Sequence, residues 1–223
     1  MFLLAQPLHW HIIVLNVMEL AACVAGFISW RKMKGSYWRA FPVYLSVILM
    51  TELTAEYFKH MYDNDRVNNN IYRFFGIPLE FVFLFWLFYQ HFRKTDMRML
   101  PTILATGYVV SIPVDILYVS RMRYFFDSFS YCVGNVFLLV LLMTFFLRFS
   151  RSEAILAYKS DMMFWVCTGL MIFYLGTLPL FGMWNTLIDH YRNLFWVLYY
   201  CLFPLNYIMY FLFTISFVWG KPR

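Results

Sequence analysis

The side chains best suited to chemistry in this sequence recur four residues apart inside an apolar stretch. Glu52, Glu56 and His60 stand at positions i, i+4 and i+8, a spacing that brings them onto one face of an α-helix. Two carboxylates stacked in this way repel each other unless a proton, a cation or a basic partner intervenes. The partners that the sequence offers are His11, Lys59, Arg73 and a bound ion.

Three interpretations of this face follow from its residue types. The side chains can hydrogen-bond between helices, anchor a ligand, lipid or ion, or act as catalytic or metal-binding groups. Zinc sites use more histidines at tighter spacing than Glu-x3-Glu-x3-His provides, so we predict no metal site. The full set of ligand-binding candidates inside apolar stretches is Glu52, Glu56, His60, Glu80, Glu19, His11, Asp115 and Asn206.

The composition indicates which kind of fold must position these side chains. Of the 223 residues, 62% are hydrophobic and only 13% are charged, and the mean hydropathy is +0.62. A soluble domain usually carries about twice that charged fraction and could not bury so much apolar surface in one core. The net charge of +6 comes from Lys and Arg between the apolar stretches, without a basic face or stacking platform, so we expect no nucleic acid partner.

Seven stretches are long and apolar enough to cross a bilayer, which needs about 20 residues. They cover residues 10–30, 40–60, 71–91, 99–119, 127–148, 161–183 and 193–219. The stretch 99–119 contains Pro101, Gly107 and Pro113, which membrane helices tolerate when neighbouring helices satisfy the freed backbone groups. We therefore predict an all-α, polytopic transmembrane bundle of seven helices, with residues 1–223 forming a single transmembrane domain.

The distribution of Lys and Arg between the apolar stretches predicts the orientation of the bundle. Twelve of the 18 lie on one side of the predicted membrane and six lie on the other. Cytoplasmic segments carry the excess of basic residues, which places the N-terminus outside and the C-terminus in the cytoplasm. An interfacial aromatic belt is expected near the span ends, formed by Trp10, Trp30, Trp38, Trp184 and Trp219.

With this orientation, nearly every acidic or histidine side chain within the spans falls in the outer half of the membrane. The inner halves of the last three spans are almost purely apolar, as in the run from Phe137 to Met143. An ionisable side chain at membrane depth costs about 2.5–3.5 kcal/mol on insertion scales. The asymmetry therefore predicts a polar cavity that opens outward and is closed at its base by Phe, Leu and Met.

Several known seven-helix chemistries lack their residues here. The last span, 193–219, contains no lysine, so no retinal Schiff base is expected, and the sequence leaves any other cofactor unknown. Residues 204–207 do not reproduce the Asn-Pro-x-x-Tyr pattern of the large eukaryotic receptor family, and the late His-x-x-x-His pair of alkaline ceramidases is missing.

Four short stretches carry a resemblance to a known group: Asn69 to Phe75, Phe164 to Val166, Leu205 to Tyr210 and Trp219 to Arg223. They are similar to stretches in an uncharacterised group of bacterial seven-helix membrane proteins that is associated with sensory-kinase neighbourhoods. The resemblance implies a bacterial cytoplasmic (inner) membrane and a membrane-anchored signalling partner. Residues 77–81 also resemble the Pro-Leu-Glu-Glu stretch of membrane lycopene cyclases, with Phe81 in place of the second Glu.

These observations lead to one hypothesis for function and two alternatives. The first is a sensory or ligand-binding membrane module whose outward cavity takes a small hydrophobic or amphipathic ligand and which signals through a separate partner protein. The alternative is an intramembrane enzyme that acts on a lipid or isoprenoid through Glu52, Glu56 or Glu80, because carboxyl groups in an apolar bundle suit general acid–base work. A transporter is the second alternative, although the inverted repeats and polar through-path of that class are missing.

Overall fold

The computed structural model describes the backbone of residues 5–62, 70–119 and 129–222, and within these ranges the chain is helical, with no strand. The α-helices are α1 Ala5–Ile28, α2 Ala40–Tyr62, α3 Ile77–Phe92, α4 Met99–Val114, α5 Phe129–Ser150, α6 Met162–Gly182, α7 Trp184–His190 and α8 Arg192–Trp219. Shorter 3₁₀ turns cover Ser29–Arg31, Tyr37–Arg39 and Glu153–Ser160. π-Helical turns cover Tyr72–Gly76 and Asp115–Val119.

Six of the described helical segments are long and apolar enough to cross a membrane, as expected of an integral membrane protein. They cover Trp10–Arg31, Tyr72–Phe92, Met99–Leu117, Phe129–Ser150, Met162–Gly182 and Arg192–Trp219. The predicted all-helical membrane architecture is confirmed at this level. The breakers in the stretch 99–119 are tolerated, because α4 continues through Pro113 before it widens into the π turn.

The remaining predicted span, α2, is a helix of 23 residues but is not one of these six segments. Its length of about 35 Å, at about 1.5 Å per residue, exceeds the roughly 30 Å of hydrocarbon in a bilayer. Its second half carries Glu52, Glu56 and Lys59, which lower its mean hydropathy. A seventh crossing and the orientation of the termini therefore stay predictions.

The chain divides into two compact units. Unit 1 comprises Met1–Leu49, Phe145–Thr177 and Arg192–Arg223. Unit 2 comprises Met50–Thr144 and Leu178–Tyr191. That all 223 residues form a single domain also stays a prediction.

In unit 1, α1 and α8 run side by side in the same direction. Near the start of α1, the His11 ring stacks on Phe203 with the ring centroids 4.9 Å apart. Just beyond the end of α1, Ser29 Oγ donates a hydrogen bond to the Phe217 carbonyl oxygen at 2.9 Å. The contacts therefore advance toward the carboxyl ends of both helices together.

Two glycines allow helices of unit 1 to approach closely. A Cβ atom at Gly26 of α1 would lie 2.7 Å from Pro42 Cγ at the start of α2. A Cβ atom at Gly169 of α6 would lie 3.3 Å from the Met209 carbonyl oxygen of α8. Small residues at such positions let membrane helices pack nearly backbone to backbone.

Exposed apolar side chains form one face of α1, as a lipid-facing helix requires. Their positions follow the i, i+3, i+4 pattern of one helical face: Ile13, Val14, Val17, Leu20, Val24, Phe27 and Ile28. At the ends of the spans, Trp10 and Trp219 are exposed, as expected for an interfacial belt. Trp38 is different, because it is only 1% exposed and packs edge-on against Phe41, so its predicted role in the belt is wrong.

An aromatic core joins α3, α4 and α5 in unit 2. The Tyr108 ring lies 5.0 Å from Phe81 and 5.8 Å from Phe85, measured between centroids, and the Tyr131 ring lies 5.6 Å from Phe81. Gly134 of α5 makes room for two of these rings, since a Cβ atom there would lie 2.9 Å from both Phe81 and Tyr108. This core fixes α4 against its neighbours just below the π turn that begins at Asp115.

Candidate functional site

Two π-helical turns mark neighbouring helix ends in unit 2. Tyr72–Gly76 leads into α3, and Asp115–Val119 follows α4. Each lies next to a proline that cannot donate a backbone hydrogen bond, Pro78 at the start of α3 and Pro113 at the end of α4. Wider turns of this kind are frequent at functional sites, because they re-aim side chains without breaking the helix. The principal charged residues of the candidate site come from these two turns.

Asp115 is the centre of the site. Its side chain is enclosed, with the residue only 1% exposed. Arg73 Nη2 lies 3.4 Å from Asp115 Oδ2, and Ser130 Oγ donates a hydrogen bond to the same oxygen at 3.0 Å. Arg73 belongs to the π turn before α3, and Ser130 to the first turn of α5. Together with Tyr108 of α4, these residues are called the Asp115 cluster.

The cluster contains two enclosed polar atoms that have no hydrogen-bond partner in the described part of the chain. One is Oδ1, the second oxygen of the Asp115 carboxylate. The other is Tyr108 Oη, seven residues and about two helical turns earlier. Burying a polar atom without a partner costs about 1–3 kcal/mol, and more when the group is charged. A bound polar group that reached either atom would recover that free energy.

A second carboxylate acts on the same tyrosine. Glu80 and Asp115 both interact electrostatically with the Tyr108 hydroxyl group. Glu80 is half-buried in the first turn of α3. The structure therefore brings two of the predicted site residues, Glu80 and Asp115, to one tyrosine, with a guanidinium and a serine hydroxyl beside Asp115.

The acidic face of α2 also belongs to unit 2. Glu52 and Glu56 stand one turn apart on α2, and both are half-buried. Thr51 and Ala55, which precede them, are buried, so the two carboxylates lie at the edge of the buried face. His60 lies on the same helix, but its side chain falls outside the described residues. The helical register of this trio is confirmed, whereas its role in a site stays a prediction.

The other three predicted residues belong to unit 1. Glu19 is buried near the middle of α1, with 2% of the residue exposed. His11 Nδ1 lies 3.2 Å from Tyr207 Oη, and that hydroxyl donates to the His11 carbonyl oxygen at 2.9 Å. Asn206 Nδ2 donates to the Leu202 carbonyl oxygen of its own helix at 3.0 Å. His11 and Asn206 thus have structural partners within unit 1.

Sequence reasoning missed three members of the cluster: Arg73, Tyr108 and Ser130. Arg73 was one of four possible partners for the carboxylates of α2, but it pairs with Asp115, 42 residues further along the chain. A usable signal was present, because a basic residue at the start of one span and an acidic residue at the end of the next lie at the same membrane level. Tyr108 offers no such signal, since 17 tyrosines are spread along the sequence.

The atoms of the cluster are suited to hydrogen bonding. Among residues 5–62, 70–119 and 129–222, no three His, Cys, Asp or Glu side chains form a group that could hold a metal ion. Asp115 Oδ1 can accept a hydrogen bond, and Tyr108 Oη can donate or accept one.

No protein-family model matches the chain, and neither a curated protein nor a solved structure matches it.

Proposed function

We propose that this membrane protein is a sensory module that binds a small amphipathic ligand at the Asp115 cluster and signals through a separate partner protein. The observation that carries the proposal is the Asp115 carboxylate. It is enclosed within a span, and only its Oδ2 oxygen is hydrogen-bonded among the described residues. Ionisable groups at membrane depth are costly, and they are characteristic of functional sites.

The chemistry of the cluster defines the ligand class. Asp115 Oδ1 is an acceptor, which suits an ammonium, hydroxyl or amide donor on the ligand. Tyr108 Oη adds a second polar contact two turns away, and the Phe81 and Tyr131 rings nearby suit an apolar or aromatic group. A molecule with a hydrogen-bond donor next to an apolar body satisfies both requirements.

Binding at this place would act on two helices at once. The distance of 3.4 Å between Arg73 and Asp115 is longer than the roughly 2.7–2.9 Å of a strong charge-assisted hydrogen bond. A ligand donor at Asp115 Oδ1 would share the negative charge of the carboxylate with Arg73, which lies at Oδ2, and would weaken that ion pair. Both residues stand in π turns, so a movement of Arg73 away from Asp115 would shift α3 relative to α4. A partner could sense such a change between two helix arrangements.

The direction of the helices in unit 1 supports the finer topology of seven spans with the N-terminus outside. Successive spans alternate in direction, so the first and the sixth of six spans would run opposite to each other. Because α1 and α8 run in the same direction, an odd number of crossings is needed. The helix available for the additional crossing is α2, since α7 has only seven residues. The excess of basic residues then supports a cytoplasmic C-terminus. The resemblance to bacterial seven-helix proteins supports a bacterial cytoplasmic membrane.

Cysteine labelling in the full-length chain tests this topology. Lys34→Cys and Lys221→Cys are expected to react with a membrane-impermeant maleimide only in inverted vesicles, and Asp189→Cys only in right-side-out vesicles. In a bundle of six spans, positions 34 and 221 would react from opposite sides, which would overturn the proposal. The parent chain, whose four cysteines lie within helices, provides the background signal.

Native mass spectrometry of protein purified in a mild detergent tests the ligand site. We expect the wild type to carry a small-molecule adduct and Asp115→Asn to lose about tenfold or more of its occupancy, since hydrogen bonds to charged groups contribute about 1.5–3 kcal/mol. Asp189→Asn removes the same charge from an exposed position of α7 in the same unit and should keep the adduct. A wild type without an adduct, or full occupancy in Asp115→Asn, would contradict the proposal.

The signalling partner requires its own experiment. The resemblance to bacterial proteins associated with sensory-kinase neighbourhoods favours a membrane-anchored kinase. Crosslinking in intact membranes followed by purification should recover such a kinase with the wild type, and Asp115→Asn should alter the phosphorylation of its substrate. If no kinase is recovered and deletion of the protein leaves gene expression unchanged, the signalling part of the proposal is wrong.

A second candidate function is favoured by the two carboxylates around Tyr108. Glu80 and Asp115 could serve as acid and base toward a lipid or isoprenoid that reaches the Tyr108 hydroxyl. In that case Glu80→Gln should abolish a product in the membrane lipid extract while the protein remains folded. An unchanged lipid profile after deletion of the protein would eliminate this alternative.

A further inference from the structure

Basic side chains concentrate at one end of unit 1. This end contains the carboxyl ends of α1, α5 and α8 and the amino ends of α2 and α6. It carries eight Lys and Arg residues among the described residues: Arg31, Lys32, Lys34, Arg39, Arg148, Arg151, Lys159 and Lys221. The carboxylates at the same end are Glu153 and Asp161. Eight cations and two carboxylates among the described residues therefore leave a clear excess of positive charge at this end.

Lys32 and Lys221 are held close together at the end of α8. Lys32 Nζ donates hydrogen bonds to the carbonyl oxygens of Phe217 and Val218, at 3.2 and 3.1 Å. The backbone N–H of Lys221 donates to the Ser160 carbonyl oxygen at 2.7 Å, which fixes the segment after α8. An ammonium group has three donors, so one N–H of Lys32 remains for a ligand. Burial, and next the charge of Lys221, lower the pKa of Lys32, so the two ammonium groups repel each other.

A third cation stands beside the tryptophan that precedes Lys32. The Arg39 guanidinium lies 5.3 Å from the centroid of the Trp30 ring. Its Nε atom is enclosed and has no hydrogen-bond partner in the described ranges. Cation–π contact holds the guanidinium in place but does not neutralise its charge. Arg39 is therefore a positioned cation beside Trp30, at the same end of unit 1 as Lys32.

The carboxylates described at this end are fewer than the cations, and the Asp161 side chain already accepts backbone hydrogen bonds. Asp161 is buried, and its Oδ1 accepts hydrogen bonds from the backbone N–H groups of Met163 and Phe164. Glu153 is exposed in the 3₁₀ turn that precedes α6. An anion from outside the protein is the natural partner for Lys32, Lys221 and Arg39.

Tryptophans identify the kind of anion that fits. The exposed Trp219 immediately precedes the Gly220–Lys221 segment, and its ring lies 6.4 Å from that of Trp165. Trp165 Nε1 donates to the Lys159 carbonyl oxygen at 2.9 Å. Indole rings with their N–H group toward the polar side are typical of the level of lipid headgroups.

We propose that Lys32, Lys221 and Arg39 form a binding site for the phosphate of an anionic phospholipid headgroup, with Trp30 and Trp219 flanking the lipid at the interface. The site lies in unit 1 and does not depend on the ligand site at Asp115. A headgroup phosphate offers acceptor oxygens to the free N–H of Lys32 and to the guanidinium, and its charge relieves the repulsion between Lys32 and Lys221. Basic pockets between helices next to the cytoplasmic side of membranes bind such headgroups.

Nanodiscs provide the test, with the full-length protein in phosphatidylcholine containing a small fraction of phosphatidylglycerol. Native mass spectrometry after release into detergent reports which lipid stays bound. The wild type is expected to enrich phosphatidylglycerol over phosphatidylcholine. A direct hydrogen bond between a charged side chain and a phosphate is worth about tenfold in affinity, so Lys221→Gln with Arg39→Gln should reduce the enrichment about tenfold or more. This pair leaves the hydrogen bonds of Lys32 to α8 intact.

Lys34→Gln with Lys159→Gln is the matched control, because it removes the same charge from two exposed residues at the same end of unit 1. The control should change the enrichment by less than about threefold, as expected for screened surface charges. Equal losses in both double variants would show a diffuse charge effect and overturn the site. Displacement of the lipid by millimolar inorganic phosphate, or no preference for phosphatidylglycerol in the wild type, would overturn it as well.

Discussion

Gly134 lies where α5 passes the aromatic core of unit 2, and its replacement by alanine tests how rigid that core is. The added Cβ atom would lie 2.9 Å from Cδ2 and Cε2 of Phe81 and 2.9 Å from Cε2 of Tyr108. Both rings are fully enclosed, at 0% exposure. Phe85 packs against Tyr108, and Tyr131 packs against Phe81, so neither ring has space to turn away.

Two opposing effects determine the change in the free energy of unfolding. Alanine is favoured over glycine inside a helix by about 1 kcal/mol. Overpacking a rigid core costs about 1–3 kcal/mol. Gly182→Ala at the end of α6 is the matched control, because a Cβ atom there would meet no atom within 4 Å. We therefore expect Gly134→Ala to be less stable than Gly182→Ala by about 1–3 kcal/mol.

Reversible unfolding in mixed micelles with increasing SDS, followed by tryptophan fluorescence, measures this difference. The wild type and both alanine variants are compared at the same protein and detergent concentrations. If Gly134→Ala is as stable as Gly182→Ala, the rings around Tyr108 can yield by several tenths of an ångström. The core would then not be the fixed base for the Asp115 cluster that the contacts describe.

Three further outcomes follow from other contacts. Burial, and next the Asp161 carboxylate, raise the pKa of Tyr37 above its ordinary value of 10.0. The neutral Tyr37 hydroxyl group therefore stabilises the folded protein below pH 10, and this contribution is lost as the pH rises further. In Tyr37→Phe, the midpoint of SDS unfolding should fall less between about pH 9 and 12 than it does in the wild type. Asp161→Ala removes the side chain that caps the first turn of α6 and should lower the free energy of unfolding by about 0.5–2 kcal/mol. In the same SDS titration, Asp189→Ala, at an exposed position, should change it by less than about 0.5 kcal/mol. Gly176→Ala would meet the flexible Leu205 side chain at 2.8 Å, so a loss smaller than that of Gly134→Ala is expected, and a larger loss would contradict the distinction between a movable and a fixed neighbour.

The helices could be predicted because a membrane span depends on local composition. The predicted stretch 161–183 corresponds to α6 at Met162–Gly182, and the stretch 193–219 to α8 at Arg192–Trp219. Residues 184–190 were expected to connect these spans, but they form the short helix α7. The length of an apolar stretch does not distinguish so short a helix from a turn. Trp38 shows the same ambiguity, since a tryptophan at a span end fits either a lipid interface or a buried position.

The site could be predicted only in part, because it depends on pairing between distant residues. Asp115 was singled out as a costly carboxylate at membrane depth, and this reasoning needs no knowledge of its neighbours. Its partners Arg73 and Ser130 come from the ends of other helices, and no spacing in the sequence links them to Asp115. Likewise, the spacing of Glu52 and Glu56 correctly predicts one helical face but not what that face contacts.

The parallel contact between α1 and α8 has a consequence for how the protein is made. His11 and Tyr207, which hydrogen-bond to each other, are separated by 196 positions in the chain. At about 5–20 residues per second, a ribosome needs roughly 10–40 seconds to synthesise that interval. During this time α1 is already available for insertion, with Glu19 on it, while its final neighbour does not yet exist. Unit 1 can thus close only after α8 has been synthesised, so a ribosome that stalls before α8 would leave α1 to the insertion machinery and to membrane proteases.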